Sequence, residues 1–269
     1  MKRMLASCED PKEVFEIFDE ENRLVGKEYR GNVHRQGLLH RSVNVLLISD
    51  KGELLVQKRS SRKLICPSCW DLSVSEHLQP GETFQDAVLR GLKEELNLDV
   101  AASLNADKDI KRIRAAHLCR TDYPQQGLKD YEWNECWAVR LAIANDEHLL
   151  EVQVDQEEVS EAKWVPLPEV TRMVHVHRSR NNNLCKHNNE DDDSRQRIVE
   201  WRRRDDDHEE EVAWRLDNHE EEEEVIRLTP WFLSEWGFLE KQLGKTNTNH
   251  PAEEDSPLSW FPPPLLSLD

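Results

Sequence analysis

Alternating apolar and polar residues predict strands in the N-terminal part of the chain. Residues 14–26, VFEIFDEENRLVG, indicate a short strand, a polar turn and a second extended segment. Residues 40–60, HRSVNVLLISDKGELLVQKRS, predict a hairpin, because two β-rich runs flank the turn sequence Ser-Asp-Lys-Gly at 49–52. The fold is therefore expected to begin with strands.

Residues 83–97 instead carry the period of an amphipathic helix. Thr83 is placed to cap its start, and Pro80-Gly81 marks the turn before it. The apolar residues that recur at helical spacing are Phe84, Ala87, Val88, Leu92 and Leu96. This face is expected to pack on the strands.

Further strands are predicted after this helix. Segments 113–123 and 132–144 are rich in strand-forming residues and flank the loop sequence Pro-Gln-Gln-Gly at 124–127. Segment 160–170 predicts a strand that leads into a short helix. Strands, a helix, more strands and another helix suit a mixed sheet covered on both faces, which is an α/β fold.

A charged segment interrupts this pattern at residues 175–226, where Asn, Asp, Glu and Arg dominate. Its few apolar residues bury too little surface to offset the entropy of ordering, so we predict a disordered insertion. A helical pattern returns at 227–245, with Trp231, Trp236 and Leu239 available for burial.

These patterns divide the chain into five parts. The predicted parts are an N-terminal extension at 1–11, a folded domain at 12–174, an acidic low-complexity insertion at 175–226, the last helix of the domain at 227–245, and a disordered tail rich in Pro and Ser at 246–269.

Composition limits the partners and the compartment. The 269 residues carry a net charge of −18, so the chain lacks the broad basic surface that nucleic acid requires. Six scattered cysteines, no apolar run of membrane-spanning length and an N-terminus without a signal-peptide core predict a cytosolic protein. The acidic insertion indicates a basic partner, and the oligomeric state stays open.

Two adjacent glutamates end the helix at 83–97. Glu94 and Glu95 point about 100° apart on a helix. Such a pair is able to flank a magnesium ion that bridges phosphate oxygens. The alternative interpretation is a solvated acidic helix end.

The context favours the metal, because residues 76–98 resemble the Nudix box, G-x5-E-x7-R-E-U-x-E-E-x-G-U, in which U is apolar. Glu76 replaces the first glycine, Gly91 the first glutamate of the REUxEE core, and Asn97 the last glycine. The positions that match are Glu82, Arg90, Leu92, Glu94, Glu95 and Leu98. The resemblance implies the Nudix fold, an α/β/α sandwich with a mixed sheet. It also implies magnesium or manganese at Glu82, Glu94 and Glu95, with structural roles for Gly81 and Arg90.

Other segments are similar to the isopentenyl-diphosphate isomerase-like branch of that superfamily. The segments are GNVHRQGLLHRSVNVLL, VSEHLQPGE, YEWNECWAV and LTPWFLSEW. In this branch three histidines and two acids hold a metal, and the resemblance assigns those roles to His34, His40, His77 and Glu135. Trp133 stands at the second acid position. For any one of these histidines, the alternative is a surface or core-edge residue.

The isomerases also use a cysteine two residues before the third histidine, where this chain has Ser75. A hydroxyl exchanges a proton near neutral pH far less readily than a thiol, so Ser75 argues against efficient isomerisation. Gly91 removes a glutamate that hydrolases of the family use, and Glu76 or Glu135 becomes the candidate base. A zinc site at Cys66 and Cys69 would need a second pair of ligands.

We therefore expect a divalent-metal-dependent hydrolase of a small diphosphate compound, with an isopentenyl-diphosphate isomerase or a catalytically weak binding protein as alternatives. Glu94, Glu135, Ser75 and Glu76 are the candidate catalytic residues. Candidate substrate contacts are Lys58, Arg59 and Trp236.

Overall fold

The computed structural model describes residues 10–98, 106–141, 154–185, 227–246 and 260–261. Two strands, β1 (Val14–Phe18) and β2 (Leu24–Tyr29), form an antiparallel hairpin apart from the main sheet. A short helix, α1 (Arg30–Gln36), follows, and Val33 on it packs with Phe15 of β1. This unit holds α1 beside the large sheet.

Within the described residues, the large sheet has seven strands. They are β3 (His40–Ser49), β4 (Glu53–Arg59), β5 (Trp70–Asp71), β6 (Val74–His77), β7 (Ile110–Tyr123), β8 (Leu128–Leu141) and β9 (Val159–Pro166). The order is β5-β4-β3-β8-β7, with β6 paired to β3 and β9 to β4. Strand β3 is parallel to β8 and antiparallel to β4 and β6, so the predicted mixed sheet is confirmed.

Helices cover both faces of this sheet. Helix α2 (Phe84–Leu96) lies over one face, where Val43, Val45 and Leu47 of β3 pack against its Val88. A four-residue helix, α3 (Ala106–Asp109), leads into β7. Helices α4 (Leu167–Cys185) and α5 (Pro230–Thr246) cover the other face, against Leu46 and Ile48 of the same strand. Alternate side chains of β3 thus pack into two hydrophobic cores, one on each face of the sheet. The predicted α/β/α sandwich is confirmed.

Helix α2 has the predicted extent and cap. The side chain of Thr83 accepts a hydrogen bond from the Asp86 N–H, and the Asp86 carboxylate accepts one from the Thr83 N–H. This capping box satisfies two N–H groups at the helix start. At the other end Asn97 adopts the left-handed conformation, with φ of 52°, and closes the helix.

Helix α4 is longer than the sequence predicted. It runs past the boundary placed at 174 and continues to Cys185. Beyond Val174, Arg178 donates hydrogen bonds to the Glu240 carboxylate and to the Leu233 carbonyl of α5, and these polar contacts join this turn of α4 to α5. The rest of the predicted insertion, and most of the predicted tail, lie outside the described residues.

The C-terminal segment returns to the sheet at β5. The Trp70 N–H donates to the Arg227 carbonyl, and the Thr229 N–H donates to the Trp70 carbonyl. Phe232 and Trp236 of α5 are then fully buried on the sheet. In the part of the chain that the structure describes, no helix has the length and apolar character needed to cross a bilayer.

Candidate active site

A cavity of about 440 Å³ opens at the end of the sheet where β3, β6, β8, α1 and α2 meet. Carboxylates outnumber basic side chains in its lining. The acidic residues are Asp10, Glu13, Glu76, Glu94, Glu95, Asp130, Glu132, Asp155 and Glu158, and the basic ones are Arg30, Arg59, Lys63 and Arg90. A dianionic ligand would therefore meet repulsion here unless cations accompanied it.

Three histidines from three different elements meet at one side of this cavity. His34 comes from α1, His40 from the start of β3 and His77 from the end of β6. Their ring centroids lie 4.9–5.4 Å apart. Phe15 of the β1–β2 hairpin stacks on His40 at 5.3 Å and limits how its ring turns. The histidines that the resemblance singled out thus form one cluster.

Two of the inward nitrogens of this cluster lack hydrogen-bond partners. His40 Nδ1 lies 3.0 Å from the Leu38 carbonyl oxygen, which fixes the proton on Nδ1 and leaves Nε2 with a lone pair. The buried Nε2 atoms of His34 and His40 have no hydrogen-bond partner. Burial lowers the pKa of all three rings, and in His34 the neighbouring His77 and His40 lower it further. Neutral imidazoles that face a common point are the form that binds a metal.

The acids of this cluster come from β8. Asp130 Oδ1 lies 3.6 Å from Nε2 of both His34 and His40, and Glu132 Oε1 lies 3.3 Å from His77 Nε2. One ligand atom from each of the three histidines and from Asp130 falls within 4.8 Å of the others. This set of imidazoles and carboxylates has the chemistry of a Mn²⁺ or Zn²⁺ site.

Glu135 is not part of the cluster. It is three residues from Glu132 on a strand, so the two side chains point to opposite faces of the sheet. Glu135 accepts hydrogen bonds from Arg112 at 3.0 Å and from the Trp137 indole at 2.9 Å. The structure therefore places Asp130 and Glu132, and not Glu135, beside the histidines. The period of two along β8 could have shown this, because Asp130 and Glu132 share a face.

A second group of acids lies across the cavity at the end of α2. Glu95 is buried, and the Gln57 side-chain amide donates a hydrogen bond to it at 2.7 Å. Burial, and next the nearby Glu76 carboxylate, raise the pKa of Glu95 to about 8. Glu94 and Glu76 line the same cavity. Carboxylate oxygens gathered in this way suit Mg²⁺ or Mn²⁺.

Arg90 organises this acidic group. Its guanidinium donates to Glu82 at 2.8 Å, to Glu94 at 2.9 Å and to the His77 carbonyl at 2.7 Å. Glu82 also accepts from the Gln79 N–H and does not line the cavity, so it braces the turn before α2. In that turn Gly81 has φ of 82°, a conformation that glycine adopts without strain. Both Glu82 oxygens thus accept hydrogen bonds from Arg90 beside this turn.

Ser75 lies on β6 between the two clusters and lines the cavity. Its hydroxyl donates to the Asn44 side-chain oxygen at 3.1 Å and lies 3.4 Å from Asp71 Oδ1. The same Asp71 oxygen accepts hydrogen bonds from Thr229 and from the Trp231 indole. With its lone pairs already committed, Asp71 is a poor base for Ser75.

Of the three predicted substrate contacts, only Arg59 lines the cavity. Arg59 lines the cavity and donates to Asp71 at 3.1 Å, whereas Lys58 does not line it and lies over the Trp70 ring. Trp236 is fully buried in the core beneath α5, and Trp231 lines the cavity in its place. The two tryptophans are five residues apart, so their side chains point about 140° apart on the helix.

The chain matches the NUDIX domain family model over residues 38–184. An uncharacterised Nudix hydrolase of Nostoc sp. is 40% identical over 33% of this chain, and the match spans 53% of that protein. The isopentenyl-diphosphate Delta-isomerase 2 of Photorhabdus laumondii is 26% identical over 60% of this chain and 82% of its own length. The crystal structure of DR0079 from Deinococcus radiodurans is 21% identical, covers 61% of this chain and 90% of that one, and has a TM-score of 0.45.

Proposed function

This chain belongs to the NUDIX domain family, and from that premise we propose that it is a divalent-metal-dependent hydrolase of a small substrate that contains a diphosphate. The substrate is of the nucleoside or isoprenoid diphosphate type. We place the enzyme in the cytosol, without nucleic acid or membrane as a partner.

The cavity itself carries this proposal, because it joins two ligand clusters of different chemistry. The histidines with Asp130 form one cluster, with Glu132 beside His77, and Glu94 and Glu95 line the same cavity as a second group. Divalent cations bound there, Mg²⁺ or Mn²⁺, would neutralise diphosphate charge and make phosphorus more electrophilic. Such ions turn an acidic cavity that repels an anion into one that binds it.

The chain's own residues position the reacting groups. Gln57 fixes one carboxylate oxygen of Glu95 and so orients the other. Arg90 does the same for Glu94. Arg30 and Lys63 also line the cavity, where they are ion-paired with Glu13 and Glu158, and they would supply positive charge to phosphate oxygens. The buried carboxylates at the cavity wall are the acceptors for the proton that an attacking water releases.

Isopentenyl-diphosphate isomerase is the second candidate. The 26% identity to such an isomerase over 82% of its length supports it. Ser75 argues against it, because its hydroxyl bonds to the neutral Asn44 amide, and the nearby Asp71 oxygen already accepts two other hydrogen bonds and is a poor base.

One assay separates these candidates. The full-length protein is incubated with Mg²⁺ and a diphosphate panel that includes isopentenyl diphosphate, and phosphate release and double-bond migration are followed in the same tubes. We expect phosphate release that depends on Mg²⁺ and is abolished by Glu95→Gln. Migration without phosphate release would replace the hydrolase with the isomerase, and neither reaction on any substrate would contradict both.

A further inference from the structure

Residues 76 and 91 differ from the Nudix box in a reciprocal way. The box has glycine at the first of these positions and glutamate at the second, whereas this chain has Glu76 and Gly91. The positions belong to different elements, strand β6 and helix α2. Taken separately, these differences remove an acid from α2 and add one to β6. The structure shows that the two positions are neighbours.

The two positions face each other across the contact between β6 and α2. A Cβ atom built on Gly91 would lie 3.5 Å from the Cβ and 3.7 Å from the Cγ of Glu76. These distances are ordinary van der Waals contacts. The Glu76 side chain therefore begins directly beside the place where a side chain at position 91 would begin.

At this contact Val74 leaves no room for a side chain at position 91. The same Cβ on Gly91 would lie 2.5 Å from Val74 Cγ1, which is much closer than side chains approach in proteins. Val74 is fully buried between β6 and α2, so it has little room to move. A residue larger than glycine at position 91 is thus excluded while Val74 keeps its place, and Glu76 occupies the ground beside it.

The Glu76 carboxylate stays at the cavity and does not turn away from it. One oxygen accepts a hydrogen bond from the His77 N–H at 2.9 Å, and the other lies 3.3 Å from Arg90 Nη1. Arg90 holds Glu94 from the same guanidinium nitrogen. Glu76, Glu94 and Glu95 therefore border one part of the cavity, with two of them fixed by a common arginine.

We infer that Glu76 supplies, from strand β6, the third carboxylate that the Nudix box supplies from the helix, so that Glu76, Glu94 and Glu95 together hold one divalent cation. The inference rests on the proposed function, because it takes the cation site at Glu94 and Glu95 as given. Compared with the Nudix box, the third carboxylate comes from position 76 instead of position 91, and the number of carboxylates at the site stays the same.

Direct binding of Mn²⁺ tests this assignment without reference to turnover. The full-length protein is first loaded with one equivalent of Zn²⁺, which favours the histidine cluster. Mn²⁺ is then titrated in, and free Mn²⁺ is measured by electron paramagnetic resonance. The binding that Glu95→Gln removes defines the carboxylate site. Glu169→Gln, which removes an exposed acid on α4, is the matched control and should leave binding unchanged.

Three variants then locate the third acid. Glu76→Gln, and Glu76→Gly combined with Val74→Ala, should each weaken Mn²⁺ binding at the carboxylate site by about tenfold or more. Adding Gly91→Glu to the second variant puts the acid back on the helix in the space that has been cleared. This triple variant should recover most of the lost affinity, while Val74→Ala alone should bind as the wild type does.

Each result decides something distinct. Unchanged Mn²⁺ binding in Glu76→Gln overturns the role of Glu76. Failure of the triple variant to recover affinity, at a melting temperature equal to that of its parent variant, overturns the exchange of positions. If Glu95→Gln itself leaves Mn²⁺ binding intact, the cation site of the proposed function is wrong, and the inference falls with it.

Discussion

Glu132 Oε1 lies 3.3 Å from His77 Nε2, although the two residues are far apart in the sequence and belong to strands that do not pair with each other. Strand β3 brings them together, because it pairs with β6 on one side and with β8 on the other. The register sets His40 opposite Glu132 and Ser42 opposite His77, so the site is built by strand pairing.

The first prediction tests which acids of β8 belong to the site. Glu132→Gln should weaken binding of Mn²⁺ or Zn²⁺ at the histidine cluster by about tenfold or more, because it removes a charged oxygen beside His77 and His40. Glu135→Gln is the matched control on the opposite face of the same strand. It should leave the affinity unchanged, as measured by titration calorimetry. Equal losses in both variants would contradict the assignment.

The second prediction concerns the pH dependence of stability in metal-free protein. The pKa of Glu95 is raised by burial from 4.5 to about 8, so the folded state favours the protonated carboxyl. The folded state binds more protons than the unfolded state between these values. The contribution of Glu95 to stability is therefore full below about pH 4.5 and is lost as pH rises towards 8.

Urea unfolding in EDTA at pH 5.5 and pH 8.5 measures this effect against Glu95→Gln. The wild type should lose more stability than the variant between the two conditions, by a few kcal/mol on the order-of-magnitude scale of such linkage. The difference between the two proteins isolates Glu95 from other titrating groups. Identical losses would show that the Glu95 carboxyl titrates normally.

The third prediction uses position 75 to separate the two candidate reactions. Ser75→Cys introduces a group with an unperturbed pKa near 8.5, which is able to exchange protons near neutral pH. It should create or strongly raise isomerisation of isopentenyl diphosphate, and should leave hydrolysis within a few-fold. Deuterium exchange from heavy water into the substrate reports the first reaction. Brisk isomerisation by the wild type would reverse the ranking of the two functions.

The fourth prediction concerns the charged segment between α4 and α5. Replacing residues 186–226 with a short Gly/Ser linker should cost little stability, because the segment is poor in apolar residues. Replacing residues 178–226 should lower the melting temperature clearly, since it also removes the contacts of Arg178 with Glu240 and with the Leu233 carbonyl. A large loss from the shorter deletion would show that the segment packs on the domain.

Local patterns in the sequence predicted the framework well. The helical period and Thr83 gave the extent and cap of α2, and alternation along residues 40–60 gave β3 and β4. Apolar periodicity shows which face of a helix or strand is buried, so it was sufficient to predict the strands and the layers of the sandwich. It did not give the end of α4, where the Arg178 contact with Glu240 joins the helix to α5.

The candidate site was predicted only where a motif fixed the register. The box spacing led to Glu94 and Glu95, and the resemblance led to His34, His40 and His77. Asp130 and Glu132 were not predicted as site residues. The resemblance to the isomerases assigned Glu135 instead, without regard to the face of β8 on which it lies. The facing positions of Glu76 and Gly91 depend on how closely α2 approaches β6, which no pattern in the sequence reports.

The ion pair of Arg178 with Glu240, at 2.7 Å, has a consequence for engineering. It clamps the last described turns of α4 to α5, so the domain itself holds both ends of whatever chain connects them. Closing a longer connection then costs only about 0.6 kcal/mol for each doubling of its length. This junction is therefore a suitable site for inserting a reporter domain or an affinity peptide into the protein.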